Sequence, residues 1–239
     1  MRILHLYHDI LNLYGDYANV EAIKRLAQAN EVSCTVDKIS LGEDADFSQY
    51  DFIFMGSSTE KNQKVALEDF RRFSDQLKNY VDSGKVALFT GNAFEILGKT
   101  IKDNTKVHNG LGLLDFDVVE GDRVSEDIIV KADDLSLPLV GYRNKRGVIS
   151  SVESPLFEVL YQNSQKDIIK TEGVRYKNLF CTHLIGPVLV KNPHFLLYIS
   201  ELILNKELSD DSLKYNQLSY EVTFNELNKR ANLSDDIKS

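Results

Sequence analysis

Residues 86–99 read VALFTGNAFEILGK. An apolar run of strand character, Val86, Ala87, Leu88 and Phe89, meets a small-residue turn at Gly91, Asn92 and Ala93, and then a segment whose apolar positions suit a helix. Strand, sharp turn and helix in that order have the form of a nucleophile elbow. Such a turn holds a Ser or Cys in a strained backbone conformation above a sheet, with the next backbone N–H aimed at an oxyanion. Here the tip is Gly91, which carries no nucleophile.

Working outward, strand and helix signals alternate up to Gly98. Ile3 to Tyr7 reads as a first strand, Tyr17 to Gln28 as a helix with Val20, Ile23, Leu26 and Ala27 on one side, and Ser33 to Val36 as a second strand. Phe52 to Met55 is a short, continuous apolar run of the kind that parallel sheets bury on both faces. The spacing of Leu67, Phe70, Phe73, Leu77 and Val81 predicts one long helix over Val65 to Val81, with Gly84 beyond it as a stop. This alternation predicts an α/β fold, a parallel sheet with helices on both faces.

From Leu111 to Leu184 strands dominate: Leu113 to Val119, Ile128 to Lys131, Val140 to Tyr142, Val148 to Val152 and Leu179 to Leu184. They are expected to form an antiparallel or mixed extension whose loops surround the elbow. Pro193 is expected to open a helix through Leu204, because proline is tolerated in a first helical turn. A further helix from Tyr215 to about Asn228 precedes a polar tail, Lys229 to Ser239, expected to be mobile. The expected division is a domain over 1–205 and a C-terminal helix and tail over 206–239.

A chain of 239 residues with 43% hydrophobic residues can bury a sizeable core alone. A net charge of −8 without a long basic block argues against nucleic-acid binding. The two cysteines, Cys34 and Cys181, provide neither a disulfide framework nor a CxxC metal pair, and no cofactor motif is present. The opening MRILHLYHDI has no signal-peptide core, and no run approaches the length of a membrane span, so a cytoplasmic protein is expected.

Several stretches together resemble the class I glutamine amidotransferases of the cobyric acid synthase type, and within them the amidotransferase subunits of lipid II isoglutaminyl synthases. Ala87 to Lys99 lies without a gap on that family's elbow, with Leu88, Leu97, Gly98 and Lys99 coinciding. Asn12-Leu13-Tyr14, with Asp16 and Asn19, matches its opening after the first strand. Asp51 to Gln63, Gly110 to Phe116 and Glu172 to Asn192 run beside three further family motifs. The resemblance implies a class I amidotransferase-like (flavodoxin-like) fold.

It also implies what is missing. The family's catalytic cysteine falls on Gly91, and its general base, the histidine before Gly-Pro, falls on Ile185. A glutaminase of this type needs a thiolate to attack the amide carbon and an imidazole to move the protons. Neither residue does either task. The family's GGG, a source of oxyanion-hole amides, is here Gly56-Ser57-Ser58, and its NHGG is Asn144-Lys145-Arg146-Gly147.

Other residues keep two readings. Cys181 is a buried structural cysteine or a relocated nucleophile, and His183, where the family has tyrosine, is a packing residue or a displaced base. His5 and His8 read as core or strand-end residues, and the acidic patch Glu43, Asp44 and Asp46 as a solvated loop. Arg123 is an exposed loop arginine or the group that the family places to grip the α-carboxylate of glutamine or glutamate, with Asn92 and Gly56 as further ligand-binding candidates. By resemblance the partner is a Mur-ligase-like subunit, in a heterodimer concerned with peptidoglycan and cell wall biogenesis. The expected function is that of a catalytically inactive amidotransferase-like subunit. The alternatives are an active enzyme working through Cys181 and His183, and a free-standing sensor using the vacated pocket.

Overall fold

The computed structural model describes residues 1–150, 152–164 and 168–231. The first half alternates as the hydrophobic pattern dictates: β1 (Arg2–Leu6), α1 (Tyr17–Ala29), β2 (Thr35–Ile39), β3 (Phe52–Met55), α2 (Glu60–Phe70), α3 (Ser74–Asp82) and β4 (Val86–Thr90). The second half adds β5 (Thr100–Lys102), β6 (Val107–Asn109), β7 (Asp117–Lys131), β8 (Leu139–Ile149), β9 (Phe157–Gln162), β10 (Thr171–Glu172), β11 (Val174–Tyr176), β12 (Leu179–Thr182) and β13 (Leu184–Ile185). Three helices follow: α4 (Val188–Lys191), α5 (Pro193–Leu204) and α6 (Lys214–Ala231).

One sheet has the order β11-β12-β4-β3-β1-β2, parallel throughout except for β11. Side chains alternate across it. Ala87 and Phe89 of β4 join Leu67 and Phe70 of α2 and Leu77 of α3 on one face, while Val86 and Leu88 join Val20 and Ile23 of α1 and Phe195 of α5 on the other. Both faces are therefore dry, and all nine residues of β3 and β4 are buried. At about 25 cal/mol per Å² of apolar surface removed from water, this two-sided burial is the main stabilising term.

The antiparallel strands make a second sheet, with β7 and β8 as one long hairpin paired from Val118↔Ile149 to Val130↔Leu139. The sequence pattern breaks each of these strands in two, because their middles are polar. The structure carries the ladder through, since the polar middle is satisfied internally by pairs such as buried Arg143 with Glu126. A register shift between Glu120 and Val124 takes Arg123 off the ladder. β12 belongs to the first sheet and β13 pairs with β8 in the second, so His183 stands where the chain crosses between them. Ser151, in the expected strand Val148 to Val152, and residues 232–239 of the expected tail lie outside the described residues.

Two expectations are corrected. The single helix expected from Val65 to Val81 is broken by a 3-10 turn at Arg71–Phe73. There Arg71 reaches the carbonyls of Asn109 and Gly110, and the tighter turn sends Phe73 to stack on Phe47 at 5.0 Å. The elbow's helix is likewise a 3-10 run, Gly91–Leu97. Its last carbonyls do not wait for a further helical turn: Leu111, Gly112 and Leu114 donate to Ile96, Gly98 and Leu97.

Candidate functional site

Gly91 leaves the end of β4 with φ +60°, a left-handed conformation that a side chain adopts only at a cost of about 1–2 kcal/mol. The elbow backbone is thus kept. The space above it is not: an ideal Cβ at position 91 lies 2.2 Å from the Cβ of Ser57 and 3.3 Å from Cγ2 of Ile185. The structure therefore brings Gly91 and Ile185 together across a gap that Ser57 fills.

Ser57 is held there from below. Its N–H donates to Oδ2 of Asp16 at 2.6 Å, the Thr90 hydroxyl donates to the same oxygen at 2.9 Å, and its own hydroxyl donates to the Leu13 carbonyl at 3.3 Å. Asp16 is fully buried, and burial pushes its carboxyl above the usual range against these hydrogen bonds. Gly56 is packed against the Leu11 carbonyl and Asp16, where a Cβ would come within 2.6 Å of that oxygen. The next amide is taken as well. The N–H of Ser58 donates to Oδ1 of Asn92 at 2.9 Å, and the Ser58 hydroxyl points to the same atom at 3.3 Å. Neither N–H is free to receive a developing oxyanion.

Beside the elbow lies a buried polar array that sequence reasoning missed. His183 Nε2 is 2.9 Å from Oε1 of Glu95 in the 3-10 run, and Nδ1 is 3.5 Å from Oε1 of Glu172 in β10. Gln63 of α2 donates to Glu95 and to the Asn92 carbonyl, and Thr182 donates to Glu172. Burial works to raise the Glu172 carboxyl, but its bonds from His183 and Thr182 outweigh burial and hold it below the usual range. Gly147 admits the Glu95 carboxylate, since a Cβ there would meet Oε1 at 2.1 Å. The signal available in the sequence was Glu95 itself, the one charged side chain between Val86 and Gly98.

Cys181 is fully buried in β12, and burial pushes its thiol well up, with Glu172 adding to the shift. Both ring nitrogens of His183 are directed at carboxylates, Glu95 and Glu172. Arg123 stands at the outer rim, half exposed, donating to Oδ1 of Asn144 at 2.9 Å and to Glu60 at 3.1 Å, while Asn144 in turn donates to the Tyr14 hydroxyl. Of the three ligand-binding candidates, Arg123 is exposed, Asn92 spends its carbonyl on Ser58, and Gly56 is buried. No group of three or more His, Cys, Asp or Glu able to hold a metal occurs among the described residues, and no helix among them is long and apolar enough to cross a membrane.

The sequence profile of the CobB/CobQ-like glutamine amidotransferase domain matches residues 2–193. The chain belongs to this family. It is 30% identical over 204 residues to the lipid II isoglutaminyl synthase (glutamine-hydrolyzing) subunit GatD of Staphylococcus aureus, covering 84% of this chain and 83% of that one. It is 29% identical over 216 residues to the GatD subunit of Streptococcus pneumoniae, covering 88% and 83%. Among solved structures it superposes on PurLQS from Thermotoga maritima with a TM-score of 0.56 at 12% identity, covering 86% of this chain and 99% of the other, a likeness of fold. Gly91, with its positive φ, lies within the matched segment, and α6 lies beyond it.

Proposed function

We propose that this chain is a cytoplasmic, non-catalytic amidotransferase-like subunit that works beside a Mur-ligase-like partner in amidating the peptidoglycan stem peptide. The association with lipid II chemistry is supported by the two GatD subunits it resembles, each named as a subunit of a synthase. The observation that carries the loss of activity is the filled elbow. Ser57 occupies the place of a side chain at position 91, Ile185 faces that place without a titratable group, and the Ser57 and Ser58 amides are spent on Asp16 and Asn92. Thiol attack, proton transfer and oxyanion stabilisation are absent together.

The rival route through Cys181 and His183 is disfavoured by a protonated, inaccessible thiol and by an imidazole committed to Glu95 and Glu172. Arg123 remains the residue able to hold the carboxylate of glutamine or glutamate, by exchanging Glu60 for the ligand. The division proposed for the chain is the amidotransferase-like domain over 1–205 and an appended helical segment from 206 onward. The test is ammonia release from glutamine by the purified chain, alone and mixed with the ligase-like partner. The expected rate equals that of buffer in both. Turnover abolished by Cys181→Ala would overturn the reading, and failure of the two proteins to co-purify would remove the partner.

A further inference from the structure

Asn92 is clamped at two points. Its backbone carbonyl accepts from Nε2 of Gln63 at 2.6 Å, and its side-chain Oδ1 accepts from the N–H of Ser58 at 2.9 Å and faces the Ser58 hydroxyl at 3.3 Å. A backbone N–H can only donate, so the Ser58 contact fixes which corner of the carboxamide is oxygen and which is nitrogen. Among the described residues Nδ2 has no hydrogen-bond partner, and Asn92 is half-buried with Nδ2 open to solvent. Two N–H donors are thus held ready beside the filled elbow. Arg123 is tied to the same short segment: Asn92 is bonded to Ser58 and Arg123 to Glu60, two residues apart, a span of no more than about 7 Å. The acceptors here are already engaged. Oδ1 of Asn92 takes Ser58, the Leu13 carbonyl takes the Ser57 hydroxyl, Oδ1 of Asn144 takes Arg123, and the residue facing the elbow is the apolar Ile185.

We infer that the site selects glutamate over glutamine, with Asn92 as the residue that reads the far end of the ligand. The inference rests on the reading above that Arg123 takes the α-carboxylate. A side-chain carboxylate only accepts hydrogen bonds, and the Nδ2 donors of Asn92 satisfy it. A side-chain amide brings two N–H groups of its own, which meet Ile185 and acceptors already engaged, and a donor left without a partner is costly. A charged acceptor also makes the stronger bond to an N–H. Because Gln63 and Ser58 hold Asn92 before the ligand arrives, little side-chain freedom is lost on binding. The ligand is held and released unchanged, since no nucleophile faces it.

The test is calorimetric titration of the full chain with L-glutamate and with L-glutamine at matched ionic strength. Glutamate is expected to bind about tenfold more tightly. Asn92→Asp keeps an oxygen for the Ser58 N–H but replaces the two donors by a second acceptor. It should therefore reverse the order, weakening glutamate by about tenfold or more while glutamine binds at least as well as to the wild type. Arg123→Ala should abolish the binding of both. An unchanged melting temperature of ligand-free Asn92→Asp verifies that the fold is intact. Equal affinities in the wild type, or an unaltered preference in Asn92→Asp, overturn the selection and leave the Arg123 contact standing. Binding of neither ligand to the wild type removes that contact, and the selection with it.

Discussion

The Cβ that any residue other than glycine would carry at position 91 lies 2.2 Å from the Cβ of Ser57. Position 91 and the segment Gly56-Ser57-Ser58 are therefore coupled in space. A cysteine placed at 91 meets a steric problem before it meets a chemical one.

Gly91→Cys is expected to destabilise the chain and to yield no glutaminase. Positive φ costs about 1–2 kcal/mol and overpacking about 1–3 kcal/mol, a loss of roughly 5–15 °C in melting temperature at about 2–4 °C per kcal/mol for this size. Adding Ser57→Gly should recover much of that loss. Thermal unfolding of the single and double variants checks it, and a Gly91→Cys variant as stable as the wild type would contradict the packing.

Asn92→Ala should release the Ser58 N–H and cost about 1–2 kcal/mol, the value of losing a buried acceptor. Faster amide hydrogen exchange at Ser58 is the specific readout. Ammonia production should stay at the buffer level, since a freed amide supplies neither nucleophile nor base.

The Glu172 carboxyl is held below its unfolded range, so its contribution to stability is fully present above about pH 4.5 and is lost as pH falls through the folded value. Glu172→Gln should lower stability at neutral pH by about 2–4 kcal/mol, as expected for breaking a buried charged network. It should also flatten the acid side of the stability curve. Asp16 has the opposite sign: its folded value is raised above the unfolded 3.8, so its contribution is complete below that pH and falls as pH rises through the folded value. Denaturant titrations at stepped pH on both wild type and variant separate the two.

Glutamine or glutamate at millimolar concentration should raise the melting temperature through Arg123. At ten times its dissociation constant a ligand adds about 1.4 kcal/mol, a shift of roughly 3–5 °C. The shift should vanish in Arg123→Ala, persist in Cys181→Ala and grow in Glu60→Gln, which removes the internal competitor. No shift in the wild type would mean that Arg123 serves only to join Asn144 and Glu60.

The order of strands and helices up to Gly98, the helix opened by Pro193 and the absence of catalytic groups at Gly91 and Ile185 were all determined by the sequence, because each depends on residue type and near neighbours. Period and composition act locally, and chemistry at a position follows from the side chain written there. What decides the site is non-local. Ser57 enters the space over Gly91 across 34 residues, Asn92 closes on Ser58 across the same distance, and His183 meets Glu95 across 88. The 3-10 breaks at Arg71–Phe73 and Gly91–Leu97 also belong to the tertiary structure, since carbonyls that accept from Arg71 and backbone N–H groups of Leu111, Gly112 and Leu114, all on a distant segment, outweighed helical propensity. The polar middles of β7 and β8 hid one long hairpin for the same reason. Their pairing is satisfied by contacts such as Arg143 with Glu126, which only the folded chain brings within reach.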